Sequence, residues 1–264
     1  DFINLLEKGN YFNKPKLITY DKQLNYSIFT KLPGQSISTY NFKNWMSLCD
    51  FAIEVNDIGI KYRREWYRNA SEAYFVIEDH FQNVKKRLIK ISNYYKEIGL
   101  KSIDRFISKI LIPRFQKIYL QEHNKNNLFK KLDSITLSVS DIGFHNCNLF
   151  NNKLLFYDFE YAGWDFTGKL ATDIIINPRH KLDLKVALKI ISKLDKELKC
   201  QDWISEMQWT IPLYAIKWCI ISLQYKGGFS KKEELNIENW ICETNNYLLR
   251  CNQILQALNF SSYY

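Results

Sequence analysis

Apolar positions change their spacing several times along this chain, and the changes mark its elements. Asp1 to Lys8 reads as the end of a helix closed by Gly9, a residue suited to a left-handed C-terminal position. Lys16 to Tyr20 and Tyr26 to Leu32 are apolar, β-branched and aromatic. The polar turn Asp21-Lys22-Gln23 separates them, so the pattern predicts two antiparallel strands, the second ended by Leu32-Pro33-Gly34. From Asn41 the period becomes helical, with Trp45, Leu48, Cys49, Ala52, Ile53 and Val55 to Ile58 recurring near every 3.6 residues. Ser71 and Glu72 open a second helical run to about Tyr95. Asp104 to about Leu132 reads as a third, despite Pro113.

The texture then turns to short alternating pieces. Ile135 to Val139 is a β-type run, Asp141 to Asn148 a polar loop with one glycine, and Lys153 to Tyr157 a second β-type run ended by Asp158. After Gly168 the helical period returns over about 169–176, 184–198, 203–225 and 232–258. No repeat and no low-complexity tract is present. The pattern predicts an α+β chain: a small β-containing start, then a mostly helical body interrupted by one strand-loop-strand device.

Composition narrows the class. The chain has 264 residues, enough for one large domain or two lobes, and 46% are hydrophobic, which argues for a packed core over disorder. The most apolar stretch, Ile211 to Leu223, contains Lys217 and falls short of the roughly 20 residues that span a bilayer, and no secretory signal opens the sequence, so no membrane partner is expected. Six cysteines form neither CxxC nor zinc-finger spacing and read as reduced thiols of a cytoplasmic protein. The net charge of +9 is carried by scattered lysines rather than a dense block. That disfavours a nucleic-acid partner and suits an enzyme that binds a polyanionic nucleotide.

The strand-loop-strand device holds the candidate chemistry. Phosphoryl transfer needs a carboxylate to orient the incoming hydroxyl, and hard oxygen ligands for a Mg²⁺ that bridges nucleotide phosphates. Kinases place these on a D-x-x-x-x-N loop and on an Asp just after the next strand. Asn146 lies five residues after Asp141, and Leu154-Leu155-Phe156-Tyr157-Asp158-Phe159-Glu160 supplies the second element. Asp141 alone among the aspartates has an Asn at that offset. The competing structural reading makes Asp141 a turn cap and Asn146 a left-handed loop residue.

Ser-Asp-Ile-Gly-Phe-His-Asn (140–146), followed by Tyr-Asp-Phe-Glu-Tyr-Ala-Gly-Trp-Asp (157–165), resembles the aminoglycoside phosphotransferase and choline kinase superfamily, of protein-kinase-like fold. Within it the likeness is to a bacterial branch of small-molecule phosphotransferases. Asn69 to Phe75, Lys169 to Asp173 and Lys217 to Ile221 are also similar to that branch, so the resemblance covers essentially the whole chain. It implies a truncated N-lobe sheet with the hinge in residues 1–33 and a large helical C-lobe in 34–264. It further implies ATP- or GTP-dependent phosphorylation of a hydroxyl on a small metabolite such as a sugar, an aminoglycoside-like compound or an amino alcohol. Asp141 would be the catalytic base, Asn146 and Asp158 would hold Mg²⁺, and the backbone of Thr30, Lys31 and Leu32 would meet adenine. Glu160 in Asp-Phe-Glu would be a further carboxylate near the metal.

The departures from the family pattern define the alternative. The usual His two residues before the loop Asp is Val139 here. No glycine-rich phosphate loop or strand lysine precedes the hinge, and the sequence starts at Asp1 inside a helix, which suggests an incomplete or processed start. Glu7 lies late for the helix carboxylate that would hold such a lysine. These features favour a catalytically inactive kinase fold that binds a nucleotide or a partner protein, whereas Asp141, Asn146 and Asp158 favour an enzyme. Among other residues, His145 is expected either to touch phosphate or substrate or to pack in its loop. Asp165 and Asp173 are expected to brace the loop through backbone amides. Trp218 is expected in the core, and His80, His123 and His180 show no metal spacing.

Overall fold

The computed structural model describes residues 2–21, 23–24, 26–64, 68–180, 182–198, 200, 202–225 and 234–260, and the chain divides into two compact units. The first comprises residues 1–73, 134–175 and 185–201. In it helix α1, Phe2–Lys8, buries Phe2, Ile3, Leu5 and Leu6. The left-handed residue that ends it is Asn10, with φ 64°, rather than Gly9. Gly9 serves proximity instead: a Cβ there would stand 2.4 Å from Ile58.

Strands β1, Leu17–Asp21, and β2, Tyr26–Phe29, pair antiparallel where the alternation predicts them. β2 stops short of Leu32, although Thr30 N–H still donates to Lys16 O at 2.9 Å. Ile18, Tyr20, Tyr26, Ile28 and Phe29 of this hairpin are exposed.

Helix α2, Phe42–Lys61, starts at a reciprocal cap in which Asn41 and Asn44 each accept from the other's backbone N–H. Its buried face lies on the short strands that follow. Phe51 stacks on Phe156 at 3.8 Å, and Asn56 Oδ1 accepts from Leu137 N–H at 3.2 Å. Those strands are β3 (Gln35–Ser36), β4 (Ile135–Ser138), β5 (Cys147–Phe150), β6 (Lys153–Phe156) and β7 (Gly163–Phe166). They form an antiparallel β3-β5-β6 sheet and an antiparallel β4-β7 pair. The turn between β5 and β6 is Asn151-Asn152, both left-handed with φ 47° and 60°, a conformation that suits the twist of a two-residue hairpin. Most of α6 (Thr167–Ile176) and α7 (Leu184–Leu198) completes the unit.

The second unit comprises residues 74–133, 176–184 and 202–264 and is helical. Helix α3, Ile77–Glu97, begins six residues later than the pattern suggests, with Glu78 and Asp79 complementing the positive end of the helix dipole. The helical stretch around Pro113 runs as α4 (Lys101–Phe106), a π-turn (Ile107–Leu111) and α5 (Ile112–Asn124). Proline has no N–H to give to the preceding turn and crowds its carbonyls, and the wider π-turn directly upstream absorbs that. The helix ends at Asn124 rather than near Leu132. The residues beyond it fold back, so that Glu78 N–H donates to Leu128 O at 2.8 Å and Leu132 N–H to Phe75 O at 2.9 Å. Helix α8, Trp203–Tyr225, is the core of this unit, with Trp203 and Trp209 fully buried, and α9, Glu234–Ala257, lies against it. Among the described residues no helix is long and apolar enough to cross a membrane. The architecture is the expected α+β kind, with the strand-loop-strand device in the first unit.

Candidate active site

β4 delivers the chain to a tight bend before Asp141. Asp141 N–H donates to Val139 O at 2.9 Å across Ser140, whose φ of 66° is unusual for a residue with a Cβ. Ser138 Oγ steadies the bend by accepting from Ser140 N–H at 2.9 Å. Residues Phe144–Asn146 then form one 3-10 turn. Phe144 is its anchor: buried, stacked on Tyr40 at 4.3 Å and set edge-on to Trp45 at 4.7 Å. An aromatic wedge of this kind fixes a polar loop that has few apolar contacts of its own.

The loop side chains converge on Asp141. Asn146 Nδ2 donates to Asp141 O at 2.9 Å and to Asp141 Oδ2 at 3.2 Å. His145 Nε2 meets Asp141 Oδ1 at 3.1 Å. With the amide nitrogen of Asn146 occupied in this way, its Oδ1 is the atom left for a ligand.

Hairpin register brings Asp158 to the same place. Cys147 pairs with Phe156, and Tyr157 N–H donates to Asn146 O at 3.0 Å, so Asp158 follows directly on the residue opposite Asn146. Asp158 has φ 65°, the second left-handed non-glycine bend of the site. Its carboxyl is held above the ordinary carboxylate range by partial burial first, then by Glu160 and Asp141, with His145 pulling the other way. Among the described residues no protein hydrogen bond reaches the Asp158 carboxylate. Asp158, Asp141 and Glu160 thus bring carboxylates together at this end of the hairpin.

This donor set suits a hard cation. Asp158 offers carboxylate oxygens and Asn146 an amide oxygen. Mg²⁺ is commonly held by one or two such groups, with water and substrate phosphate completing its shell. A cage of three or more His, Cys, Asp or Glu side chains placed to hold a metal does not occur among the described residues.

Thr30, Lys31 and Leu32 lie in the segment between β2 and β3. That segment is tied to the hairpin of the site. Asn148 Nδ2 donates to Pro33 O at 3.3 Å, and Gly34, at φ 92°, passes Leu149 O so closely that a Cβ would stand 2.4 Å from it. Glu7 pairs with Lys14 at 2.8 Å.

Several arrangements escaped the sequence. Asp165 accepts from Phe166 N–H at 2.9 Å, but its other oxygen is bonded to Lys169, whose Nζ also lies 3.5 Å from Asp173. The two aspartates thus hold a buried lysine, and Asp165 braces a backbone amide as well. Burial pulls the Lys169 pKa down, but Asp165, Asp173 and Glu72 more than offset it and raise the group above its ordinary value. The i,i+4 spacing of 165, 169 and 173 was the available signal. Ser71 and Glu72 do not open a helix. Ser71 N–H donates to Tyr161 O at 3.0 Å, Ser71 O faces Ser140 Oγ at 3.5 Å, and Glu72 has φ 56°. In the second unit, His80 sits between Tyr214 OH at 2.7 Å and Tyr74 O at 2.9 Å, and Lys217 lies 5.0 Å over the Tyr214 ring. Trp218 is half-buried.

Among solved structures the chain is similar to an aminoglycoside phosphotransferase from Alicyclobacillus acidocaldarius, with a TM-score of 0.65, 10% identity, and 98% of this chain and 81% of that one covered. It is similar to a choline kinase from Cryptosporidium parvum, with a TM-score of 0.58, 14% identity, and 98% and 80% covered. A third is an amicoumacin kinase in complex with AMP-PNP, Ca²⁺ and Ami, with a TM-score of 0.50, 12% identity, and 93% and 75% covered. No protein-family profile matches the chain. No curated protein matches it in sequence. The chain has the kinase-like α+β fold of these small-molecule kinases, and the resemblance read from its motifs holds at the level of fold.

Proposed function

We propose that this protein is a phosphotransferase that uses ATP, or GTP, to phosphorylate a hydroxyl of a small metabolite. A sugar, an aminoglycoside-like compound and an amino alcohol are the acceptor classes in view. The observation that carries the reading is the convergence of Asp141, Asn146 and Asp158 at one end of the β5–β6 hairpin, in a chain with the fold of small-molecule kinases.

In this reading Asp141 accepts the proton of the attacking hydroxyl and holds that oxygen in line with the phosphorus, a matter of orientation as much as basicity. Asn146, through Oδ1, and Asp158 hold Mg²⁺, which when bound supplies positive charge to the transferring phosphoryl group. Thr30 to Leu32 contribute backbone groups to the adenine ring, in a segment spanning the 1–33 and 34–264 parts of the chain. Crowding of carboxylates around Asp158 supports a cation there, because a divalent ion would relieve the repulsion.

The test is ATP consumption against a panel of hexoses, aminoglycosides, choline and ethanolamine, with wild type and Asp141→Ala. The expected result is turnover with at least one acceptor class, a fall in kcat of about 10²-fold or more in the variant, and little change in the KM for ATP. Undiminished turnover by Asp141→Ala would sink the role given to Asp141.

A further inference from the structure

Lysines that stand scattered along the sequence are gathered by the fold. Residues 85–117 contain ten lysines and arginines against two acids, Glu97 and Asp104, so this stretch carries +8 of the chain's net charge of +9. It belongs to one device of the second unit, a helix pair whose arms are α3 and the returning α4, π-turn and α5. Residues 98–100 join the arms, and the ring of Phe81 on α3 meets Phe115 at 5.9 Å and Tyr119 at 5.6 Å on the other arm. That antiparallel register sets Lys90 about level with Lys109, and Lys96 with Lys101.

Both arms pack on α8, so their buried sides face that helix and their opposite sides face water. Lys86, Lys90 and Lys96 of α3 are exposed, as are Lys101, Arg105 and Lys109 of the other arm. Among the described residues none of these six makes an ion pair. Lys86 and Lys90 are like charges one helical turn apart, and so are Lys101 and Arg105, an arrangement that weakens a helix. The six spread over roughly 15 Å along two helices whose axes lie about 8–10 Å apart. A field of that extent has a cost within the fold and complements a partner that brings the negative charge.

The side chains indicate which partner. Five of the six are lysines, compact hydrated charges that meet an anionic surface without demands on geometry, whereas the planar fork of arginine is the group suited to reading nucleic acid. Ile89 and Tyr94, 52% and 42% exposed, belong to the same helix as Lys86, Lys90 and Lys96. An exposed isoleucine gains little from a duplex backbone but enters the boundary between lipid headgroups and acyl chains, and tyrosine favours that depth. Clusters of this size on a helix suit anionic headgroups.

We propose that the outer face of the α3–α5 helix pair is a docking surface for an anionic phospholipid bilayer. The protein lies on the bilayer there and needs no helix that crosses it. The proposal is independent of the phosphoryl chemistry assigned to the first unit.

The test uses the whole chain and flotation with vesicles of phosphatidylcholine alone or with about one third phosphatidylglycerol. Binding is expected to the mixed vesicles only, and it weakens as salt rises. Each lysine neutralised lowers affinity about 5-fold, so Lys86→Gln, Lys90→Gln and Lys109→Gln combined lose about 100-fold. Loss of like-charge repulsion leaves the Tm of that variant at or above the wild-type value. Lys43→Gln, Lys61→Gln and Lys153→Gln combined remove the same charge from exposed positions of the first unit and keep most of the binding. Ile89→Ser weakens vesicle binding and leaves retention of a short DNA duplex unchanged. Equal losses from the two triple variants would show that net charge alone acts, and would overturn the proposal. Equal binding to both vesicle types, or none to the mixed vesicles, would overturn it too. Tighter binding to the duplex than to mixed vesicles would assign the face to nucleic acid instead.

Discussion

Lys169 shows how a single residue can tie together the charged groups around it. Its ammonium is fully buried among Asp165, Asp173 and Glu72, and removing one member of a buried ionic group strands the others without a partner. Lys169→Met should destabilise the protein by about 3–5 kcal/mol in denaturant unfolding; a loss under about 1 kcal/mol would show that the cluster is better solvated than its burial implies. The sign of the pH effect follows from the raised pKa. A lysine held above its unfolded value of about 10.4 contributes fully below that pH and loses its contribution only as the pH climbs through the folded value, so the effect of this lysine is level through the neutral range. At this scale the convergence of Asp141, Asn146 and Asp158 was legible because its signal is a spacing within a few residues. The link from Lys169 to Glu72 was not, because it joins residues far apart in sequence, and sequence spacing carries no trace of such a contact.

Elements were legible in proportion to their length and regularity. The long periodic helices α2, α7 and α8 lie where the apolar pattern places them. β5 and β7 were missed. β5 follows the polar loop without an apolar run, and β7 is Gly-Trp-Asp-Phe, whose glycine and aspartate look like turn residues. The Asn151-Asn152 pair, both left-handed, was the signal for a hairpin that would have shown β5. Gly163 explains why β7 needs its glycine: a Cβ would stand 2.3 Å from Ala70 N and from Asn69 C, atoms of a backbone that cannot yield as a flexible side chain does. Gly163→Ala should push residues 69–70 off β7, break the bond from Ala70 N–H to Trp164 O, now 2.9 Å, and cost about 1–3 kcal/mol or more in thermal unfolding. An unchanged Tm would mean that this segment is not held as described.

For the molecule as a whole, the net charge of +9 sits beside a site whose own charges are negative, and a polyanionic nucleotide carrying a divalent cation complements both. The fold was readable because motif and periodicity agreed across the chain. The acceptor was not, because the aromatic and acidic residues that would select it also build a core with 16% aromatic composition. The central claim is that Asn146 and Asp158 hold the metal that carries the nucleotide, while Asp141 addresses the acceptor. Calorimetric titration with ATP, in Mg²⁺ and then in EDTA, tests it most directly. The account predicts binding by wild type and by Asp141→Ala only when Mg²⁺ is present, and loss of that binding in Asp158→Ala. Binding of equal strength in EDTA, or retained in full by Asp158→Ala, would contradict it.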